Sequence, residues 1–224
     1  MSDPREIVLG AVRTALARAG GSADRHERGT LAERLEHRPI GPQPRLGDDP
    51  IAHFTGRMEA AAATWTRVAT ALDAVQAVQR YAQTAGHDTV VAVDHPALHD
   101  LPWPPTMDLR FRVPVKAAVC VVTLAELGIA ETGSLMLCAS PATPTLFNFL
   151  PDTLICLLPA DRVVAHLEDA WRWLRENHAT LPRAVNLVTG PSRTADVEQT
   201  LQLGAHGPRQ LHAVLIDGGW GTHP

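Results

Sequence analysis

Lysine is almost missing from this chain: of its 20 basic residues only Lys116 is a lysine. That residue lies beside Pro114 at the end of an apolar stretch, and it reads as a surface residue, not a catalytic amine. Long apolar runs are lacking too. Residues 117–122 and 154–158 fall far short of the roughly 20 that a bilayer span needs. The first 20 residues interleave Asp3, Arg5, Glu6, Arg13 and Arg18 with apolar positions, which reads as an amphipathic helix and not as a secretory signal. A cytoplasmic protein with no membrane partner is expected. An excess of positive charge is also absent: 24 acidic residues outnumber the basic ones, for a net charge of −4. With the two signs interspersed, no basic face is left to displace counterions from a nucleic acid.

Cysteine is scarce. Cys120, Cys138 and Cys156 each sit in an apolar, strand-like run without CxxC or other ligand spacing, so they read as small core residues and not as disulfide, zinc or iron–sulfur ligands. The eleven histidines are dispersed and show no HExxH spacing. His95 and His99 are four apart, but Pro96 between them argues against one helical face carrying both. Neither GxGxxG nor GxxxxGK[ST] occurs, which removes the usual dinucleotide and P-loop signatures. No metal and no cofactor is expected.

What is present is a chain of 224 residues, 45% hydrophobic and 20% charged, enough for one well-packed domain with some decoration. An N-terminal helix and a polar, proline-bearing connector (Pro39, Pro42, Pro44) are expected over 1–50, an α/β domain over 51–217, and a short tail over 218–224. Within the domain, a short helix is read over 51–62 and a strand over 64–68. Thr70-Ala71-Leu72-Asp73 then resembles a capping box for a helix ending near Gly86. Strands are expected over 89–93, 111–115, from 117, up to 138, over 154–158, 185–189 and 211–216, with Thr123-Leu124-Ala125-Glu126 as a short capped turn. Helices are expected over 162–177 and 194–203. Strands separated by helices require crossovers, hence a three-layer α/β sandwich around a mainly parallel sheet.

Three stretches carry candidate chemistry. Thr189-Gly190-Pro191-Ser192-Arg193-Thr194-Ala195-Asp196 lies between a strand and a helix, at the kind of strand end where ligands gather. Gly190 permits close backbone approach, Ser192 or Thr194 caps the helix, and Arg193 with nearby amides suits a carboxylate or phosphate. The plainer alternative is that Ser192, Thr194 and Asp196 only cap while Arg193 pairs with a structural carboxylate. Gly204-Ala205-His206-Gly207-Pro208-Arg209 adds an imidazole at His206 and a guanidinium at Arg209, or else is simply a glycine helix stop. In Glu131-Thr132-Gly133-Ser134 a carboxylate meets a glycine turn, placed either for proton transfer or covalent catalysis or for structural hydrogen bonds.

Taken in order, Ile129-Ala130-Glu131-Thr132-Gly133-Ser134-Leu135-Met136-Leu137, the stretch from Thr189 to Glu198, and Gly204-Ala205-His206-Gly207-Pro208-Arg209-Gln210-Leu211-His212 resemble the LUD-domain family, in its lactate utilization protein C branch. The resemblance runs over about 51–217. It implies a fold like that of the NagB/RpiA/CoA-transferase group and a part in oxidising L-lactate to pyruvate beside iron–sulfur partner proteins. Two positions depart from the family pattern. Leu124 stands where a glycine is usual, and the residues before Leu150-Pro151 lack a frequent arginine, which leaves Arg193 and Arg209 as charged anchors.

Three functional readings follow. In the first, a small carboxylate, or a partner handling it, binds at Glu131, Thr132, Gly133 and Ser134, at Gly190, Ser192, Arg193, Thr194 and Asp196, and at His206 and Arg209. Arg193 is then the anchor, Glu131 or His206 the proton acceptor, and glycine-turn amides the oxyanion donors. In the second, which follows from the resemblance to CoA transferases, Glu131 is a nucleophile toward an acyl-CoA, with Gly133 two residues on. In the third the chain is a non-catalytic assembly subunit. A sugar-phosphate isomerase is the weakest reading, Lys116 being the only lysine.

Overall fold

The structure, a computed structural model, describes residues 4–18, 23–38, 40–194, 202–203, 206–218 and 220. Two units divide at Gln43 and Pro44. The first holds helices α1 (Pro4–Arg18) and α2 (Ala23–His37). The first helix falls where the alternating charges place it. The second replaces the extended connector expected there: the segment lacks apolar periodicity, but the good helix formers Ala32, Glu33, Arg34, Leu35 and Glu36 sustain a helix.

In the second unit Asp49 caps α3 (Pro50–Ala60), its carboxylate accepting from the amides of Ile51 and Ala52 while Pro50 occupies the first helical position. Next come β1 (Thr64–Val68) and α4 (Ala71–Thr84). Thr70 caps α4 by accepting from the Asp73 amide at 3.1 Å, as the motif predicts, and the helix buries Ala74, Val75, Ala77, Val78 and Ala82. After β2 (Thr89–Ala92) a single helical turn, α5 (Pro96–His99), starts with proline at its first position. Pro96 therefore begins a helix instead of preventing one, and its missing N–H would have been unpaired there anyway.

The strand expected over 111–115 lies earlier, at β3 (Asp108–Arg110). Pairing with Thr89–Val91 of β2 sets that register, and the positive φ of Arg112 with Pro114 ends it. Then follow β4 (Cys120–Leu124), β5 (Leu127–Ile129) and β6 (Ser134–Cys138). Thr123 thus belongs to a strand, not to a capped turn, and Glu131 lies in the tight turn of the β5–β6 hairpin. Beyond β7 (Thr153–Pro159) the helix expected from 162 begins late: Val163–Val164 form β8 against β5, and α6 spans Leu167–Asn177. The pair of β-branched residues favours the strand. The domain finishes with β9 (Val185–Val188), β10 (Arg193–Thr194), β11 (Gln202–Leu203) and β12 (Gln210–Ile216). The two ends of the helix expected over 194–203 are instead an antiparallel ribbon, Arg193 opposite Leu203 and Thr194 opposite Gln202. Residues 195–201 lie outside the described residues.

Six strands form the main sheet in the order β1-β12-β7-β4-β2-β3, every pair parallel. Helices cover both sides, so the α/β reading holds. Every residue of β7 is buried, as a parallel strand covered on both faces requires. Cys120 and Cys156 lie in this core, where burial pushes the Cys120 thiol up to about 12 and raises that of Cys156 as well. A second, mixed sheet, β8-β5-β6-β9, packs its Leu127, Ile129 and Met136 against Ala170 and Leu174 of α6. Among the described residues no helix is long and apolar enough to cross a membrane.

Candidate functional site

Two glycines in the left-handed region bring the mixed sheet onto α3. Gly133 in the β5–β6 turn has φ +70, and a Cβ there would lie 2.7 Å from the Met58 amide nitrogen and 2.8 Å from Arg57. Gly190, with φ +73 just after β9, abuts the carbonyl of Ala61, the C-cap of the same helix. Only glycine meets both demands, positive φ and no side chain.

The Gly190 turn is one wall of a cleft of about 500 Å³ lined by Ala61, Phe149, residues 187–193 and residues 206–208. The second wall is the segment entering β12, and Ser192 ties the two together. Its amide donates to the Pro208 carbonyl at 2.7 Å, and its Oγ accepts from the His206 amide at 3.2 Å. Gly207 is held close, since a Cβ on it would stand 3.2 Å from the Ser192 Cβ. Gly190, Ser192, Arg193 and His206 therefore share one cleft although 16 positions separate the first from the last, and both Arg193 and His206 are exposed to solvent.

The other described residues of the expected site do not line this cleft. Thr194 pairs with Gln202 in the ribbon, and Asp196 lies outside the described residues. Arg209 opens on a separate hollow of about 310 Å³ with His87, Asp152 and Gln210. Glu131 does not line the cleft: its Oε2 accepts from the Leu167 amide at 3.2 Å and lies 3.4 Å from His166 Nδ1. It thus faces the first turn of α6, where unpaired amides and the helix dipole favour a carboxylate. Thr132 and Ser134 join that turn to the cleft through hydroxyls, Thr132 Oγ1 to Ser134 Oγ at 2.6 Å and Ser134 Oγ to Thr189 Oγ1 at 2.5 Å.

β9 belongs to the mixed sheet, and residues 206–208 enter β12 at its amino end, so the cleft is not at the carboxyl edge of the parallel sheet. At that edge the strand order reverses between β2 and β4, the place where such sheets open a crevice. Asp94 and His95 follow β2 there, and Glu126 follows β4. Asp94 binds His99 Nε2 at 2.8 Å and Arg112 Nε at 2.7 Å, and these hydrogen bonds, that of His99 foremost, lower its pKa. Burial lowers the pKa of His95, with the charge of Glu126 opposing. Sequence pattern does not single out His95 and Glu126 as neighbours, because the crevice is defined by strand order.

The LUD domain family model matches residues 51–216, well over half of the 224. The chain is 34% identical over 98 residues to lactate utilization protein C of Bacillus subtilis, a stretch covering 42% of this chain and 41% of that protein. It is 33% identical over 95 residues to lactate utilization protein C of Anoxybacillus flavithermus, 42% of each. An uncharacterized protein of Neisseria meningitidis is 39% identical over 92 residues, 41% of this chain and 40% of its own length. The chain thus matches less than half the length of these relatives. In fold it is similar to a DUF162 family protein from Deinococcus radiodurans, with a TM-score of 0.55 and 21% identity over 77% of this chain and 99% of that one. With its parallel sheet, its glycine turns and the match over 51–216, the chain belongs to the LUD-domain family.

Proposed function

We propose that this chain is a component of L-lactate utilization and that it holds a small carboxylate in the cleft between residues 189–193 and 206–208. The observation that carries this reading is the convergence of Arg193 and His206 on one cleft, pinned from both sides by Ser192. Arg193 offers a planar fork of donors that matches a carboxylate. His206 is the group placed to accept a proton, and the Gly190 turn lets substrate approach the backbone. Oxidising lactate to pyruvate releases two electrons and two protons. His206 takes one proton in this reading, solvent takes the other, and iron–sulfur partner proteins take the electrons.

The names of the relatives support the pathway, and the cleft supports the ligand class. Glu131, turned onto α6, acts here as a positioning residue, linked to the cleft through Thr132, Ser134 and Thr189. The test is reconstitution. Lactate-dependent reduction of an electron acceptor by the iron–sulfur partners should need this chain, and Arg193→Ala should lower the rate at fixed lactate at least tenfold. Full activity without the chain, or with Arg193→Ala in its place, would contradict the reading.

A further inference from the structure

The carboxyl edge of the main sheet gathers a second group of residues, distinct from the Arg193 cleft. Glu126 leaves β4 two residues beyond Leu124, and its amide donates to the Met136 carbonyl at 2.8 Å, which holds it against β6. Cys138 is the last residue of β6. His178 is the C-cap of α6, its amide donating to the Leu174 carbonyl at 3.1 Å. Three separate elements thereby bring one carboxylate oxygen, one sulfur and one ring nitrogen within 4.8 Å of one another.

Two further observations point to a bound cation. The Nε2 of His178 is buried and makes no hydrogen bond among the described residues; buried polar atoms normally have partners, and an orphan is unfavourable. The surrounding side chains also hold the donors in place. Arg162 Nη1 lies 3.4 Å from Glu126 Oε2, which leaves the carboxylate's other oxygen for a second partner. The same guanidinium sits 5.4 Å from the centre of the Trp173 ring, and that ring meets the His178 ring edge-on at 5.8 Å. Such outer contacts orient metal ligands and fix their approach.

We infer that Glu126, Cys138 and His178 bind one divalent cation of the zinc type, leaving a fourth position open. A mixed set of oxygen, sulfur and nitrogen suits zinc, whereas calcium and magnesium take oxygen ligands. Iron–sulfur clusters are held chiefly by several thiolates, and a single cysteine does not supply them. At zinc bond lengths of about 2.0–2.3 Å, neighbouring donors of a tetrahedron stand roughly 3.3–3.8 Å apart. Donors within 4.8 Å therefore close on an ion by small side-chain rotations. Three protein ligands with one open position is the arrangement of a zinc site that polarises a water or a carbonyl or carboxylate oxygen, and that is the ligand class the fourth position takes. The site stands independently of the Arg193 cleft, and either could fail without the other.

The test uses the untagged full chain, stripped with chelator and titrated with Zn²⁺ by calorimetry and with Co²⁺ by absorption. One equivalent is expected, and the cobalt form should show a thiolate-to-metal charge-transfer band. Cys138→Ser should abolish that band, and His178→Gln and Glu126→Gln should each weaken Zn²⁺ binding by more than the roughly 10–100-fold that losing an outer partner costs. Cys120→Ala, whose side chain is buried in β4, should retain both signals. These near-isosteric replacements guard against unfolding, and circular dichroism checks it. No binding near one equivalent would overturn the assignment, and binding unchanged in Cys138→Ser and His178→Gln would overturn it by placing the cation on other residues.

Discussion

Ser134 Oγ on β6 lies 2.5 Å from Thr189 Oγ1 at the end of β9, so the turn that carries Glu131 and the loop that carries Arg193 share a hydrogen bond. Ser134 is almost fully buried and also touches Thr132 Oγ1. Ser134→Ala leaves both threonine hydroxyls short of a partner, and it should cost about 1–2 kcal/mol. Urea unfolding should show a lower midpoint with an unchanged slope. An unaltered midpoint would mean that the hydroxyl chain contributes nothing.

The glycines separate backbone strain from steric overlap. Gly86 has φ +82 with open space around its Cβ position, whereas Gly190 has a similar φ and meets the Ala61 carbonyl. Gly86→Ala should cost about 1–2 kcal/mol from the left-handed backbone alone. Gly190→Ala adds an overlap, typically another ~1–3 kcal/mol, and should also open the cleft. Equal losses in the two variants would show that α3 yields freely to the added methyl.

Glu131 and α6 give a third expectation. Glu131→Ala removes the acceptor of the Leu167 amide and should destabilise by about 1 kcal/mol, as the loss of a helix cap does. Glu131→Gln, which keeps an acceptor oxygen, should recover most of that. A nucleophilic role would instead make Glu131→Gln as inactive as Glu131→Ala in an acyl-exchange assay, although Gln keeps the stability.

His212 sets a pH dependence. Its ring stacks on Tyr81 at 3.9 Å, its Nδ1 lies 2.8 Å from Thr64 Oγ1, and its Nε2 is buried without a partner among the described residues. Burial lowers its pKa to about 4. The folded state therefore holds the ring neutral while the unfolded chain protonates it near 6.5. The stabilisation is complete above about pH 6.5 and is lost as pH falls toward 4, roughly 3 kcal/mol in all. Denaturant unfolding at pH 7 and pH 4.5 should show most of this loss in the wild type and not in His212→Phe. A parallel decline in both would assign acid sensitivity to other groups.

The elements legible in sequence are those whose local signal and tertiary role agree. Thr70 and Asp73 announce α4, and the apolar runs 154–158 of β7 and 213–216 of β12 announce a parallel core. Local pattern misleads where tertiary pairing decides. Val163–Val164 join β5 instead of opening α6, and β3 takes its register from β2. Gly190, Ser192, Arg193 and His206 are legible as a group because two nearby motifs converge, while Arg209, a few positions on from His206, opens on another hollow. Glu126, Cys138 and His178 are out of reach of sequence pattern. They are 12 and 40 residues apart along the chain, and only the hairpin and the end of α6 unite them.

The carboxylate cleft is tested most directly by thermal unfolding of the purified chain with L-lactate, pyruvate, an acyl-CoA or no ligand, repeated on Arg193→Ala. At a hundred times Kd a ligand adds about 2.7 kcal/mol, roughly 5–10 °C for a chain of this size. The account predicts that lactate or pyruvate raises Tm by that amount in the wild type and not in Arg193→Ala. A shift with neither acid, or one that survives in Arg193→Ala, would contradict it.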